Sequence, residues 1–266
     1  MKTALRTCCS LALALALATV LLIGPALAAD SALDRIKASG TLKVAVPQDF
    51  PPFGSVGPDM QPIGYDIDMA RLIAAKLGVK AELVPVTSTN RIPYLTTGKV
   101  DLVISSLGKN PKREAVIDFS EAYAPFFNGV FGTADEKITG AADLADKTVA
   151  VTRGSIEDLE LTKIAPESAT IKRFEDNSST ISAYQSGQVD LVATGNVVAA
   201  SINEKKPTKA LETKFMIKNS PCYVGLAKEE PALMAEVNAI IAAAKKDGSL
   251  GAIAEKWLHN PLPANL

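Results

Sequence analysis

Apolar residues recur along this chain in two periods, and the two periods alternate. The stretch "LDRIKAS", stopped by Gly40, reads as a short helix, and residues 42–46 follow as an apolar, partly β-branched run that predicts a strand. Over residues 66–77, Ile67, Ala70, Leu72 or Ile73, and Leu77 keep helical spacing until Gly78 ends the pattern. A strand over 81–86, a short helix over 91–97 closed by Gly98, and a buried strand over 100–104 complete the first round. A second round reads as strand 148–152, helix 156–164, strand 171–174, helix 179–186, strand 190–193 and helix 197–204. Strands at 214–217 and 223–227 and helices at 231–246 and 250–258 close the chain. Strands alternating with helices predict α/β architecture with parallel sheets covered on both faces.

The two rounds share a phrase. "GKVDLVISS" at 98–106 returns as "GQVDLVATG" at 187–195, and Ile92, Gly98, Val100, Leu102 and Val103 find counterparts at one constant offset in Ile181, Gly187, Val189, Leu191 and Val192. Two similar units are therefore expected, which also suits a chain of 266 residues. Ligands of open α/β sheets sit outside the carboxyl ends of the strands. Those ends deliver Ser105 and Ser106 from one unit and Thr194, Gly195 and Asn196 from the other. If the units face each other, the ends become the walls of a cleft. The stretches 125–129 and 219–222 read as the crossings between units.

The N-terminus changes the location. Lys2 and Arg6, an apolar run over 11–23 and a small-residue A-L-A ending at Ala28 predict a secretory signal peptide over 1–28. A membrane anchor would need roughly 20 apolar residues with no such cleavage site behind them. Cys8 and Cys9 come too early for lipid attachment, so the mature chain is expected to be free. With 28 Lys and Arg against 29 Asp and Glu, and two of the cations lost with the leader, nucleic acid is excluded as a partner. Only Cys222 survives cleavage, so no internal disulfide forms, and a lone cysteine reads as a small buried apolar residue. Lys99 follows Gly98, but Pro93 stands where a phosphate-binding loop needs glycine, and the sole histidine, His259, has no metal-ligand spacing.

"GYDIDMARLIAAKL" at 64–77, "NRIPYLTTGKVDLVISSLGKNPKREAVIDFS" at 90–120 and "VAVTRGSIEDL" at 149–159 resemble the family 3 extracellular solute-binding proteins of polar amino-acid ABC transporters. The resemblance implies a two-lobed type II periplasmic-binding-protein fold, each lobe a mainly parallel sheet flanked by helices, joined by two crossing strands. Lobe 1 would comprise 29–125 plus 221–266, and lobe 2, inserted, 126–220. It implies a periplasmic monomer without cofactor or metal that binds an amino acid in the interlobe cleft and delivers it to an inner-membrane ABC permease.

The resemblance also assigns residues. Arg113, following Ser105-Ser106, would grip the ligand's α-carboxylate, chemistry that suits a guanidinium fork; read alone it is an exposed arginine beside Lys112 and Glu114. Phe50 would lie over the ligand's aliphatic portion, or else pack on Phe53. Ser155, after Gly154, would close on the carboxylate from lobe 2, with Ile156 and Glu157 beside it; as a helix N-cap it could do both. Two departures stand out. The family's ammonium-holding aspartate is replaced by Gly195 and then Asn196, and position 108 holds glycine in place of a hydroxyl residue. Glu157 or Asp158 could replace the lost acid, or serve as solvent-facing dipole partners.

"TSTNRIP" at 87–93 resembles the glutamate/aspartate-binding branch, in which Ser88 and Arg91 would hold a side-chain carboxylate, although Pro47 stands where that branch carries another arginine. An acidic ligand is the expectation, with Arg91 as a solvated helix residue the alternative. The rival function is an enzyme, because the scaffold is similar to that of periplasmic cyclohexadienyl dehydratases, which need a protonated cleft carboxylic acid. Glu157 or Asp158 would supply it.

Overall fold

The computed structural model describes residues 31–266; the signal-peptide reading of 1–28 lies outside the described residues. In chain order the elements are α1 (Ala32–Ser39), β1 (Thr41–Pro47), the short β2 (Ser55–Val56) and β3 (Pro62–Ile63), α2 (Tyr65–Leu77), β4 (Lys80–Val86), α3 (Arg91–Thr96), β5 (Leu102–Leu107), α4 (Pro111–Glu114) and β6 (Asp118–Ala124). There follow β7 (Phe127–Gly132), a 3-10 turn, β8 (Thr148–Thr152), α5 (Ile156–Ile164), β9 (Thr170–Phe174), α6 (Asn177–Gln185), β10 (Leu191–Gly195), α7 (Asn196–Glu204) and β11 (Glu212–Asn219). The last are β12 (Cys222–Leu226), α8 (Pro231–Lys246) and α9 (Ser249–Leu258). Gly40 and Gly78 end α1 and α2 at φ 66° and 73°, the left-handed conformation that glycine reaches without a Cβ penalty.

Two five-stranded sheets result, ordered β4-β1-β5-β12-β6 and β11-β7-β10-β8-β9. The repeated phrase forms the central strand of each. Leu102 pairs in parallel with Val44, and its counterpart Leu191 pairs in parallel with Val149. Each sheet is mainly parallel in strand direction, as expected: to a parallel core of three it adds one reversed strand, β12 or β7, and beyond it one more, β6 or β11, that again runs with the core. The added strands are those at the crossings. The chain leaves the first sheet after Ala124 and enters the second at Phe127; it leaves the second after Asn219 and rejoins the first at Cys222. Ser220 N–H donates to Phe126 O at 3.1 Å and ties one crossing to the other.

Both faces of the parallel strands are covered, and successive residues on β1 divide between them as the pleat requires. Val44 and Val46 join Ile67, Ile73 and Val237 in the core under α2 and α8, while Ala45 faces Val86, Leu95 and Val103 on the side of α3. In the second sheet Val149 and Val151 pack with Leu161 of α5, and Ala150 with Tyr184 of α6. Cys222 is fully buried in the first core. Among the described residues no helix is long and apolar enough to cross a membrane.

Candidate functional site

The carboxyl ends of β1, β4 and β5 face α5 and α6 across a narrow cleft. Of the residues selected from sequence, Phe50, Ser88, Arg91, Ser105, Ser106 and Gly108 line it from the first lobe, and Ile156 and Glu157 from the second. Arg113, Ser155, Gly195 and Asn196 do not line it. Pro47, Val86, Phe126, Asn128, Asn177 and Ser220 do, and none of these was selected; Phe126, Asn128 and Ser220 come from the two crossings, which were read only as connections.

The first-lobe wall is built on one peptide unit held from both sides. Ser105 C=O accepts from a terminal nitrogen of Arg91, and Ser106 N–H donates to Asp66 Oδ2 at 2.7 Å. Ser106 consequently sits at φ 41°, a left-handed conformation that is uncommon for a residue with a side chain. Asp66 is fully buried in the first turn of α2, and Tyr123 O–H donates to its other oxygen at 2.6 Å. Burial pushes the Asp66 carboxyl up to about 7, against the opposing pull of these hydrogen bonds and of Arg91. Arg91 is 4% exposed, and its Nε is buried with no hydrogen-bond partner. Burial lowers its basicity, while Glu157 and Asp66 act to restore it. Arg91 is therefore no solvated helix residue.

The second-lobe wall is the start of α5. Ser155 is its N-cap, accepting from Asp158 N–H at 3.2 Å, so its oxygen serves the helix rather than the cleft surface. Glu157, in the first turn, is 5% exposed. Burial raises its pKa, opposed by hydrogen bonds from its own N–H and Ser155 and by the charges of Arg91 and Arg113. Asp158 is committed elsewhere. It takes Gly154 N–H at 2.9 Å and Arg173 Nε at 2.7 Å, a structural ion pair, which leaves Glu157 as the cleft acid.

Arg113 lies beside the cleft between the lobes. One terminal nitrogen donates to Gly108 O at 2.7 Å and the other to Gly154 O at 2.9 Å, so the fork spans a carbonyl of each lobe. It is 4% exposed, and burial followed by repulsion from Arg91 brings its pKa down to about 9. Gly108 is wedged in the same seam. A Cβ there would stand 2.5 Å from Ser220 Oγ and 2.9 Å from Ile156 Cγ1, so a hydroxyl residue has no room.

Gly195 is filled over rather than vacant. A Cβ at 195 would meet the Phe126 ring at 1.9 Å, and that ring stands 6.4 Å from Phe50 and 5.5 Å from Phe53 between centroids. Asn196 turns away from the cleft, its Oδ1 accepting Phe127 N–H at 3.0 Å. In place of the acid that the resemblance assigns to this strand end, Phe126 supplies an aromatic wall. Among the described residues no group of three or more His, Cys, Asp or Glu is placed to hold a metal ion.

Comparison with known proteins places this geometry in a family. The model described as bacterial extracellular solute-binding proteins, family 3, matches residues 42–260. A glutamine-binding protein of Geobacillus stearothermophilus is 32% identical over 208 residues, covering 76% of this chain and 78% of that protein. The glutamate/aspartate import solute-binding protein of Escherichia coli is 26% identical over 248 residues, covering 89% and 82%. The crystal structure of an ancestral amino acid-binding protein, described as a precursor of cyclohexadienyl dehydratase, superposes with a TM-score of 0.79 at 33% identity, over 86% of this chain and all of that one.

Proposed function

Since the chain belongs to the bacterial extracellular solute-binding proteins of family 3, we propose that it is a periplasmic receptor which closes on a polar amino acid of no net charge and presents it to an inner-membrane ABC permease. Its fold is the two-lobed type II architecture of periplasmic binding proteins. We assign residues 29–125 and 221–266 to one lobe and 126–220 to the other, with the ligand between them.

The observation that carries the ligand class is the charge balance of the buried cleft. Two guanidiniums, Arg91 and Arg113, already face Glu157 of the chain itself, and Arg91 also faces Asp66, whose pKa burial pushes up to about 7. The resemblance of "TSTNRIP" to the acidic branch, with a second arginine beside Arg113, led to the expectation of an acidic ligand. With Glu157 buried opposite Arg91, a second ligand carboxylate would meet a negative charge where it needs a positive one, and desolvation would magnify the repulsion. A zwitterion with a neutral polar side chain suits the set: Arg91 Nε and the serine hydroxyls take oxygens, Glu157 takes N–H donors, and Phe50 and Phe126 cover the carbons between. The 32% identity to a glutamine-binding protein supports the same class.

Thermal shift against L-glutamine, L-glutamate, L-aspartate, L-arginine and L-cystine tests this. A ligand at 100 times its Kd adds about 2.7 kcal/mol, and glutamine or another net-neutral amino acid is expected to give the largest shift. A panel in which the dicarboxylates dominate would overturn the charge count.

A second reading has one observation in its favour. Glu157 is a buried cleft acid with a raised pKa, the requirement for expelling a leaving group as water. Incubation with a cyclohexadienyl carboxylate, followed by the ultraviolet absorbance of an aromatic product, decides it; no product leaves the receptor reading alone.

A further inference from the structure

Asp49 does not line the cleft, yet it makes the densest polar contact between the lobes. It follows β1 on the first lobe and meets the N-terminus of α6 on the second. Its Oδ2 accepts Asn177 N–H at 2.8 Å and Ser178 N–H at 3.2 Å, and its Oδ1 accepts Asn177 Nδ2 at 3.0 Å. The helix has a cap of its own, Asp176, which takes Ser179 N–H at 2.7 Å. Asp49 thus serves the two leading N–H groups that this cap does not reach, and it adds negative charge where the helix dipole favours it. Asn177 is fixed at its other end as well, its Oδ1 accepting Thr152 O–H at 2.9 Å, and it lines the cleft.

We propose that Asp49 is an interlobe clasp: a positioning residue that touches no ligand and biases the lobes toward closure through α6. Every partner in the clasp belongs to the chain, so its action is independent of what the cleft takes. Opening exchanges all three bonds for water and frees Asn177 at one end. The clasp therefore contributes the same increment to every ligand that requires closure, whereas a residue in contact with ligand would reorder them.

Small-angle scattering on the ligand-free full chain tests the clasp without reference to the receptor reading. Asp49→Ala, which removes all three contacts, is expected to raise the radius of gyration while far-UV circular dichroism is retained. Asp49→Asn, which keeps one acceptor oxygen and loses the charge, gives a smaller rise and stands in should the alanine variant fail to fold. Radii equal to that of the unchanged protein in both variants would overturn the proposal. The second arm rests on the receptor reading: calorimetry with L-glutamine and L-asparagine should show Asp49→Ala weakening each by a common factor of about ten. A factor that differs strongly between them would place Asp49 against the ligand and overturn the clasp. Binding by neither in the unchanged protein would count against the receptor reading alone, and scattering would still decide the clasp.

Discussion

A carboxylate with no exposure to water either gives up its charge or finds compensation, and Asp66 does part of each. Its proton is held near pH 7 in the fold, against 3.8 as the ordinary value, with burial the main cause. The folded chain therefore binds this proton more tightly than the unfolded chain. The sign follows: Asp66 costs stability when ionised, and the cost is relieved as pH falls through about 7, with relief complete below the ordinary carboxylate range. Asp66→Asn is neutral at every pH and keeps an acceptor for Ser106 N–H. Melting curves across about pH 8 to about pH 5 should show the unchanged protein gaining stability relative to Asp66→Asn on acidification; parallel curves would mean that Asp66 does not titrate in this range. The residue was quoted in "GYDID" without a role, because an acid in the first turn of a helix ordinarily faces solvent. Asp68, two residues on, lies nearer the surface and accepts from Lys256 Nζ and Trp257 Nε1. What separates them is Ser106, near the end of β5 and forty residues from Asp66, a contact that no local pattern announces.

Strand ends and crossings decide more of this site than helices do. β10 ends on Gly195 because the crossing residue Phe126 needs the space, and the two are locked by the bond from Phe127 N–H to Asn196. Gly195→Ala forces its methyl into a ring that is already packed on Phe50 and Phe53, and should destabilise the fold by about 1–3 kcal/mol. Pairing it with Phe126→Leu should recover part of the loss, and urea melts of the three variants measure both. A fully stable Gly195→Ala would show that the ring moves aside freely. Sequence periodicity located the parallel strands and their helices to within a few residues, because the inner strands β1, β5, β8 and β10 are short, mostly buried apolar runs set between helical patterns. It passed over β6 and β7. "DFSEAYA" and "FNGVFG" mix polar, aromatic and glycine positions, and their antiparallel partners β12 and β11 lie far along the chain, as in Ala124 with Cys222 and Gly132 with Glu212. The same omission hid Phe126 and Asn128 from the site, and with them the reason for Gly195.

At the scale of the molecule, closure places a guanidinium in the seam. The family resemblance alone marked Arg113 for a ligand role, since read by itself it was an exposed arginine, and its observed geometry belongs to the closed arrangement of two lobes, which sequence does not display. With one nitrogen on Gly108 O and one on Gly154 O, it is satisfied on both sides only when the lobes meet. Glu157 and Glu160 offset its charge in the seam. Removing the side chain leaves two carbonyls without their donor in the closed form, whereas water serves both in the open form. Arg113→Ala should therefore weaken ligand binding by roughly 2–5 kcal/mol, enlarge the ligand-saturated radius of gyration, and leave secondary structure unchanged. Arg113→Lys should rescue little, since a single ammonium on a flexible stem lacks the fixed fork that spans the two oxygens. Calorimetry and scattering on both variants check this together. Unchanged affinity in Arg113→Ala would remove the residue from closure, and full rescue by lysine would show that charge alone, without the fork, holds the seam.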